Sequence, residues 1–222
     1  MKEKILFAWS GGKDSAMALY ELQKQNACEI LSLLTTVTSD YDRISMHGVR
    51  SALMEEQAKS VGLTLEKVYI SKVSSNQEYE KNMGDKLESY KKLGVSKVAF
   101  GDIFLEDLKR YREEKLSEID FSGIFPIWER DSSELANTFI DIGFKAIVTC
   151  VDTNVLDKSF CGRLYDKQFL LDLPKETDPC GENGEFHTFV YDGPIFRCKV
   201  GFDKGELTLR DNRFYYCELT PR

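Results

Sequence analysis

Ile5-Leu6-Phe7-Ala8-Trp9-Ser10-Gly11-Gly12-Lys13-Asp14-Ser15 decides how the rest of this chain is read. Its first five residues are an unbroken apolar run, the pattern of a strand covered on both faces. Helix-forming residues follow from Ser15 to about Gln25. Between the two, Gly11 and Gly12 let the backbone turn sharply and bring its N–H groups close to a ligand. Ser10 and Ser15 add hydroxyl donors, and the positive end of the following helix favours phosphate. Lys13 reads as a mobile cation for that phosphate or as a solvated side chain. The loop is not a Walker A loop: Phe7 stands where its first glycine belongs, and Asp14 replaces the Ser/Thr after Gly-Lys. A strand-to-helix turn without a ligand is the alternative, and six such residues after a buried first strand count against it. The loop is expected at the surface, so that replacing Asp14 or Ser15 leaves the fold intact.

Outward from the loop, strand and helix alternate. Residues 30–35, 67–70 and 98–101 read as further buried strands. Met54, Ala58 and Val61 recur at helical spacing before Gly62, where a C-terminal cap belongs. Tyr79, Met83, Leu87 and Tyr90 make one stripe of a long helix ending at Gly94, read as core rather than as ligand contacts. This alternation predicts a parallel, doubly wound sheet with ligands gathered at the carboxyl ends of its strands. Ser10, Thr35, Thr36 and Asp102 lie at those ends. Asp102 reads as a nucleotide or metal contact, or as a cap of the turn after its strand.

From about Pro126 the rhythm changes. Asp131 and Glu134 resemble a helix cap before Leu135, Phe139 and Ile142, and 147–151 reads as another buried strand. After Asp178 the pattern is antiparallel, with strands near 186–191, 195–202, 207–209 and 214–219, and Asp203-Lys204-Gly205 as a hairpin connection. The expected organisation is a nucleotide-binding domain over residues 1–128 and a smaller α+β substrate-recognition domain over residues 129–222.

Composition narrows the function. The 222 residues are 42% hydrophobic, enough for a packed core. A net charge of -7 argues against broad nucleic-acid binding, which depends on Lys and Arg meeting phosphates. No apolar run approaches the roughly 20 residues that cross a bilayer, and the N-terminus lacks the pattern of a signal peptide. A cytoplasmic protein with no membrane attachment is expected. The six cysteines form no C-x-x-C pair, and most read as small buried apolar residues. His47 and His187, the only histidines, make no zinc signature. Arg43 and Arg50 flank a polar loop placed to close over a charged ligand, or are merely solvated. Lys109-Arg110-Tyr111-Arg112, followed by Glu113 and Glu114, reads as a charged helix face.

A second informative stretch is Asp178-Pro179-Cys180-Gly181-Glu182-Asn183-Gly184-Glu185-Phe186-His187-Thr188-Phe189. Carboxylates at Glu182 and Glu185, beside His187, suit a site that binds an arriving ammonium, takes its proton or holds a metal. A glycine-rich turn with solvated acids is the alternative.

Ser10-Gly11-Gly12-Lys13-Asp14-Ser15 resembles the PP-loop of the ATP pyrophosphatase superfamily, whose members activate a carbonyl as its adenylate and release pyrophosphate. Together with Gly101-Asp102-Ile103 and Cys-Gly-Glu-x-Gly-Glu-Phe-x-Thr-Phe over 180–189, it resembles the diphthine–ammonia ligase family, from the first strand through Phe196. The resemblance implies a HUP-like α/β fold, a doubly wound parallel sheet followed by a smaller α+β domain facing the ATP site. It implies ATP with Mg2+, with Ser10, Gly11, Gly12, Asp14 and Ser15 gripping the β- and γ-phosphates. Lys13, Thr35 and Asp102 complete the nucleotide site, and Lys13, Asp14, Glu182, Glu185 and His187 form the catalytic set. No metal ligands are assigned. The implied activity is an amide ligase that adenylates a carboxylate, releases pyrophosphate and transfers ammonia. In a source that makes diphthamide the carboxylate belongs to elongation factor 2; bacterial relatives act on something else. Longer eukaryotic members append further domains. Two rivals are a thiolase-like, tRNA-modifying PP-loop enzyme, disfavoured by the missing C-x-x-C and the acidic charge, and an ATP-binding sensor without turnover.

Overall fold

The computed structural model describes residues 2–44, 48–71 and 76–222. His47 and part of the polar 38–50 segment therefore lie outside the described residues. The first half carries strands β1 (Glu3–Ala8), β2 (Cys28–Thr38), β3 (Arg43–Ile44), β4 (Leu65–Ile70), β5 (Lys97–Ala99) and β6 (Ser122–Ile124). Helices α1 (Lys13–Gln25), α2 (Ser51–Val61), α3 (Asn76–Lys91) and α4 (Glu106–Ser117) connect them. β4, β2, β1, β5 and β6 lie side by side and parallel, and β3 pairs antiparallel with the far end of β2. The doubly wound parallel sheet is as expected.

Its central strand shows why. Ile5, Leu6 and Phe7 are all fully buried. Ile5 and Phe7 join the core that includes Met17 and Leu19 of α1 and Leu53 of α2, whereas Leu6 joins Leu87 of α3 and Leu116 of α4. Side chains alternate across a strand, so an unbroken apolar run means a helix layer on each face.

The second half holds α5 (Ser132–Asp141), β7 (Lys145–Asp152), a short 3-10 turn, α6 (Lys167–Asp172), β8 (Phe186–Asp192), β9 (Phe202–Arg210) and β10 (Phe214–Pro221). The strands form an antiparallel sheet in the order β8-β7-β10-β9. Asp131 caps α5 by accepting from Glu134 N at 2.8 Å. Phe139, Phe144 and Val190 share one core with Phe7 and Met17, so the two sheets are packed together rather than tethered.

Three readings are corrected. Residues 195–201 are not a strand: after Gly193 and Pro194 the chain is irregular, and Arg197 N donates to Ser60 O of α2. Ile195 and Val200 are buried anchors of that loop, which is why the segment reads as apolar. Asp203-Lys204-Gly205 lies inside β9, and the hairpin turns instead at Asp211-Asn212, both left-handed with φ of 51° and 52°. The turn is closed by Arg213 N donating to Arg210 O at 3.0 Å. Finally, β2 continues to Thr38 because β4 pairs with it through Thr38. Thr35 thus sits past the end of β1 rather than past the end of its own strand.

Candidate functional site

The loop after β1 is shaped from within. Gly11 has a φ of +75°, and a Cβ there would lie 2.6 Å from Gln57 Oε1 and from Met54 Sδ. Ser15 Oγ donates to Gly12 O at 2.9 Å and Ser10 Oγ donates to Ser15 Oγ at 3.1 Å. Gly12 N in turn donates to Ser10 Oγ at 3.3 Å. The two hydroxyls fix the loop before any ligand arrives, at the N-terminus of a 13-residue helix where an anion is favoured.

The loop is not a surface feature. Lys13 and Ser15 are 4% and 3% exposed. Lys13 Nζ lies 2.8 Å from Asp14 Oδ2 and over the rings of Phe186 and Tyr165, at 5.3 and 5.9 Å. Burial alone would lower its pKa, but the neighbouring Asp14 carboxylate and other anionic groups outweigh that and the net shift is upward. Lys13 is therefore a fixed, charged strut between the halves, neither mobile nor solvated.

β8 supplies the loop's other wall. Val190 N donates to Gly11 O at 2.9 Å, and Lys13 N donates to Thr188 Oγ1 at 3.0 Å. Fully buried Gln57 of α2 closes the arrangement. Its Nε2 donates to Gly11 O and Val190 O, at 3.0 and 2.6 Å, while its Oε1 accepts from Trp9 Nε1 at 2.9 Å. Gly101 packs from the first sheet, where a Cβ would stand 2.8 Å from Ser15 N.

In the second signature, glycines at 181 and 184 adopt positive φ and the acids organise the loop. Glu185 Oε1 accepts from Asp178 N at 3.1 Å and from Asn183 Nδ2 at 3.0 Å. Glu182 N donates to Asp178 Oδ2 at 2.9 Å. The Glu182 side chain crosses to the first sheet, where its Oε1 accepts from Ile103 N at 2.8 Å. Burial, reinforced by the negative charge of Asp14, pushes the Glu182 carboxyl up to about 7. Burial also raises the pKa of the Cys180 thiol, and its Sγ donates to Ser132 O at 3.4 Å, so this cysteine is no thiolate nucleophile.

A cavity of about 500 Å³ opens between these loops, a volume suited to a small ligand. Ser10, Lys13, Asp14, Ser15, Thr35, Asp102, Glu182 and His187 all line it. Glu185 does not: it is buried behind the loop it holds together. Gly11 and Gly12 shape the turn without lining the cavity. Thr35 Oγ1 is buried with no hydrogen-bond partner among the described residues, a polar atom that a ligand would satisfy. Asp102 caps nothing; its carboxylate takes Arg112 Nε at 2.7 Å.

The wall formed by α3 and α4 is mixed, its apolar side chains standing beside Glu80, Lys115 and Glu118. Tyr79, Met83 and Leu87 of α3 line it with Leu105 and Leu108, so the α3 stripe read as pure core also faces a ligand space. Tyr111 and Arg112 line it as well, which removes them from the solvated helix face. Arg43 and Arg50 do not close over the cavity: both are paired with Glu218 of β10, at 2.8 and 2.7 Å. Sequence reading missed Gln57. Its signal is a polar residue set among Leu53, Met54, Ala58 and Val61 on an otherwise apolar helix face.

A phosphate-shaped loop at a helix N-terminus, on a parallel α/β sheet, defines the class: a PP-loop nucleotide-binding protein. The family is more specific. The model of the diphthamide synthase N-terminal domain matches residues 1–119 and that of the C-terminal domain matches residues 131–218, and the chain belongs to the diphthamide synthase family. A diphthine–ammonia ligase of Schizosaccharomyces pombe is 26% identical over 217 residues, covering 89% of this chain and 36% of that protein. One of Danio rerio is 27% identical over 225 residues, covering 91% of this chain and 88% of the relative. This chain thus spans little more than a third of the fission-yeast relative and most of the zebrafish one. A solved U34-tRNA thiolase from Methanococcus maripaludis aligns over 64% of this chain and 57% of its own at 14% identity and a TM-score of 0.38, too low to weigh for any function.

Proposed function

We propose that the chain is an AMP-forming, ATP-dependent amide ligase. A substrate carboxylate oxygen attacks the α-phosphorus of ATP, pyrophosphate leaves, and ammonia then attacks the acyl carbon and expels AMP. The observation that carries this reading is the meeting of the two signature loops on one cavity, with Glu182 joined to Ile103 N across it.

Each residue then has a task. Ser10, Asp14 and Ser15 hold the β- and γ-phosphates in a loop that Gly11 and Gly12 turn, so that donors are in place as charge develops on the leaving group. Lys13 fixes the loop against β8. Thr35 Oγ1 takes a hydrogen bond from the nucleoside side, and the apolar side chains of the α3 wall receive the base. Glu182, poised near neutrality, accepts the proton that the attacking ammonia loses. His187 lines the same wall and positions the incoming groups. Glu185 acts only through the loop that carries Glu182.

Among the described residues no cluster of three or more His, Cys, Asp or Glu is arranged to hold a metal. Mg2+ fits as part of ATP: it prefers phosphate and water oxygens with one or two carboxylates, and Asp14 is the carboxylate at the phosphate loop. Bound there, it neutralises the triphosphate beside Asp14 and Glu182. We assign a cytoplasmic location; among the described residues no helix is long and apolar enough to cross a membrane. In a source that makes diphthamide, the carboxylate is that of diphthine on elongation factor 2.

The test is to incubate the chain with ATP, Mg2+, ammonium and a protein fraction of its source, resolving nucleotides and product mass. AMP, pyrophosphate and a product shifted by conversion of a carboxylate to an amide are expected. Formation of ADP instead, or ATP bound with no turnover over the fractions, would overturn the ligase reading.

A further inference from the structure

Among the described residues three cations line the cavity: Lys13, Arg112 and Lys115. Lys13 is consumed by Asp14 at 2.8 Å, and Lys115 is shared between Glu80 and Glu118, at 3.2 and 3.1 Å. Arg112 differs. Its Nε donates to Asp102 Oδ2 at 2.7 Å and its Nη2 only weakly to Oδ1, at 3.4 Å. Nη1 makes no hydrogen bond among the described residues. A guanidinium carries five N–H donors in a planar fork, so most of this fork is unspent.

The fork is also held still. It lies over the Phe100 ring at 4.5 Å, and Phe100 is itself stacked on Phe125 with centroids 5.5 Å apart. The Asp102 side chain is only 11% exposed and that of Arg112 27%. An ion pair withdrawn that far from water returns little net stability, and Asp102 does not cap α4, whose N-cap is Leu105. A stacked, carboxylate-oriented arginine facing a cavity is the arrangement that recognises a phosphate or carboxylate.

Its place selects which anion. Asp102 follows Gly101, whose backbone packs against Ser15 N, and on α4 the neighbours of Arg112 reach α3, Tyr111 OH donating to Glu80 at 3.0 Å and Lys115 Nζ lying 3.2 Å from the same carboxylate. Arg112 therefore stands between the phosphate loop and the α3 wall. With the β- and γ-phosphates in the loop and the base against the α3 wall, the anionic group left between them is the α-phosphate. We propose that Arg112, oriented by Asp102, is the seat of the α-phosphoryl group, distinct from the loop that holds pyrophosphate. The assignment rests on the nucleotide reading above. As the carboxylate attacks that phosphorus, the fork meets the charge on its non-bridging oxygens.

The experiment is a calorimetric titration of the intact chain with two probes, AMP and inorganic pyrophosphate, each in Mg2+ buffer. Arg112→Gln should weaken AMP about ten- to a hundredfold, the range of a charge-assisted hydrogen-bond pair, and leave pyrophosphate within about twofold. Arg112→Lys keeps a charge without the fork and should fall in between. Asp102→Asn leaves the arginine present but unaligned, and should also weaken AMP. Melting curves on the same preparations separate lost folding from lost binding, with Arg112→Lys as the conservative variant if the glutamine protein unfolds. Unchanged AMP affinity in both Arg112 variants would reduce the residue to a strut between β5 and α4 and overturn the proposal alone. Wild-type protein that binds neither probe would bring down the nucleotide reading with it.

Discussion

At Glu182 a single carboxyl does two things that pull in opposite directions. Burial and the charge of Asp14 raise its pKa to about 7, so the folded state holds a proton that the unfolded chain releases near pH 4.5. The stability this contributes is complete below that lower value and is lost as pH rises through about 7. Glu182→Gln keeps an oxygen for Ile103 N and has no charge to bury. Its melting temperature should exceed that of wild type at pH 8, by a few degrees, and the gap should close toward pH 4.5. The same variant should bind ATP normally and make amide roughly a hundredfold more slowly, the loss expected for a general base. Unchanged amide yield would make Glu182 a strut and nothing more. Glycine 101 offers a second test at this scale. A methyl group there meets Ser15 N at 2.8 Å, and backbone cannot step aside cheaply, so Gly101→Ala should widen the site and cost ATP affinity about tenfold or more. Lys13 shows what sequence hid at this scale. A lysine after two glycines in a phosphate loop invites a role on the ligand, and only its burial beneath Phe186 and Tyr165 shows it tying two layers together. Glu182 and Glu185 looked equivalent for the same reason: spacing does not say which acid faces the cavity and which its own loop.

Among elements, α2 links the phosphate loop to β8 through one polar side chain. Gln57 satisfies Trp9 Nε1, Gly11 O and Val190 O at once. Gln57→Leu removes all three hydrogen bonds; Gly11 O keeps Val190 N, while Trp9 Nε1 and Val190 O lose this partner, each at about 1–3 kcal/mol. The unfolding free energy from urea titration should fall accordingly, by a few kcal/mol in total. A drop no larger than that of a surface substitution would mean the network is slack. The β9–β10 turn predicts the opposite sign. Asp211 and Asn212 both carry the left-handed strain, and Asn212→Gly should stabilise the hairpin by up to about 1 kcal/mol, read as a higher melting temperature. The long buried strands and the amphipathic helices were legible because periodicity registers burial on one face or two. The three-residue strand β6 is too short to carry a period, and the loop at 195–201 mimics a strand because its apolar residues anchor it against α2.

For the whole molecule, the class and family were visible in two short motifs, while the way they meet was not. Nothing in the spacing of residues 10–15 and 178–189 says that β8 lies along the phosphate loop. That follows from one hydrophobic core running through both sheets. The packing also corrects the expectation that loop substitutions spare the fold. Ser15→Ala breaks a buried hydrogen bond to Gly12 O and should cost about 1 kcal/mol of stability, so its activity must be compared per folded molecule.

Lys13 N and Thr188 Oγ1, hydrogen-bonded partners, are 175 residues apart along the chain. On the ribosome, where synthesis runs at about 5–20 residues per second, roughly ten seconds or more separate the birth of the phosphate loop from that of its wall. A nascent chain arrested before residue 186 should fail to retain ATP in a filter assay, and release past β8 should switch retention on. Nucleotide thus becomes a reporter of finished synthesis, and retention by the arrested chain would show the loop to be self-sufficient.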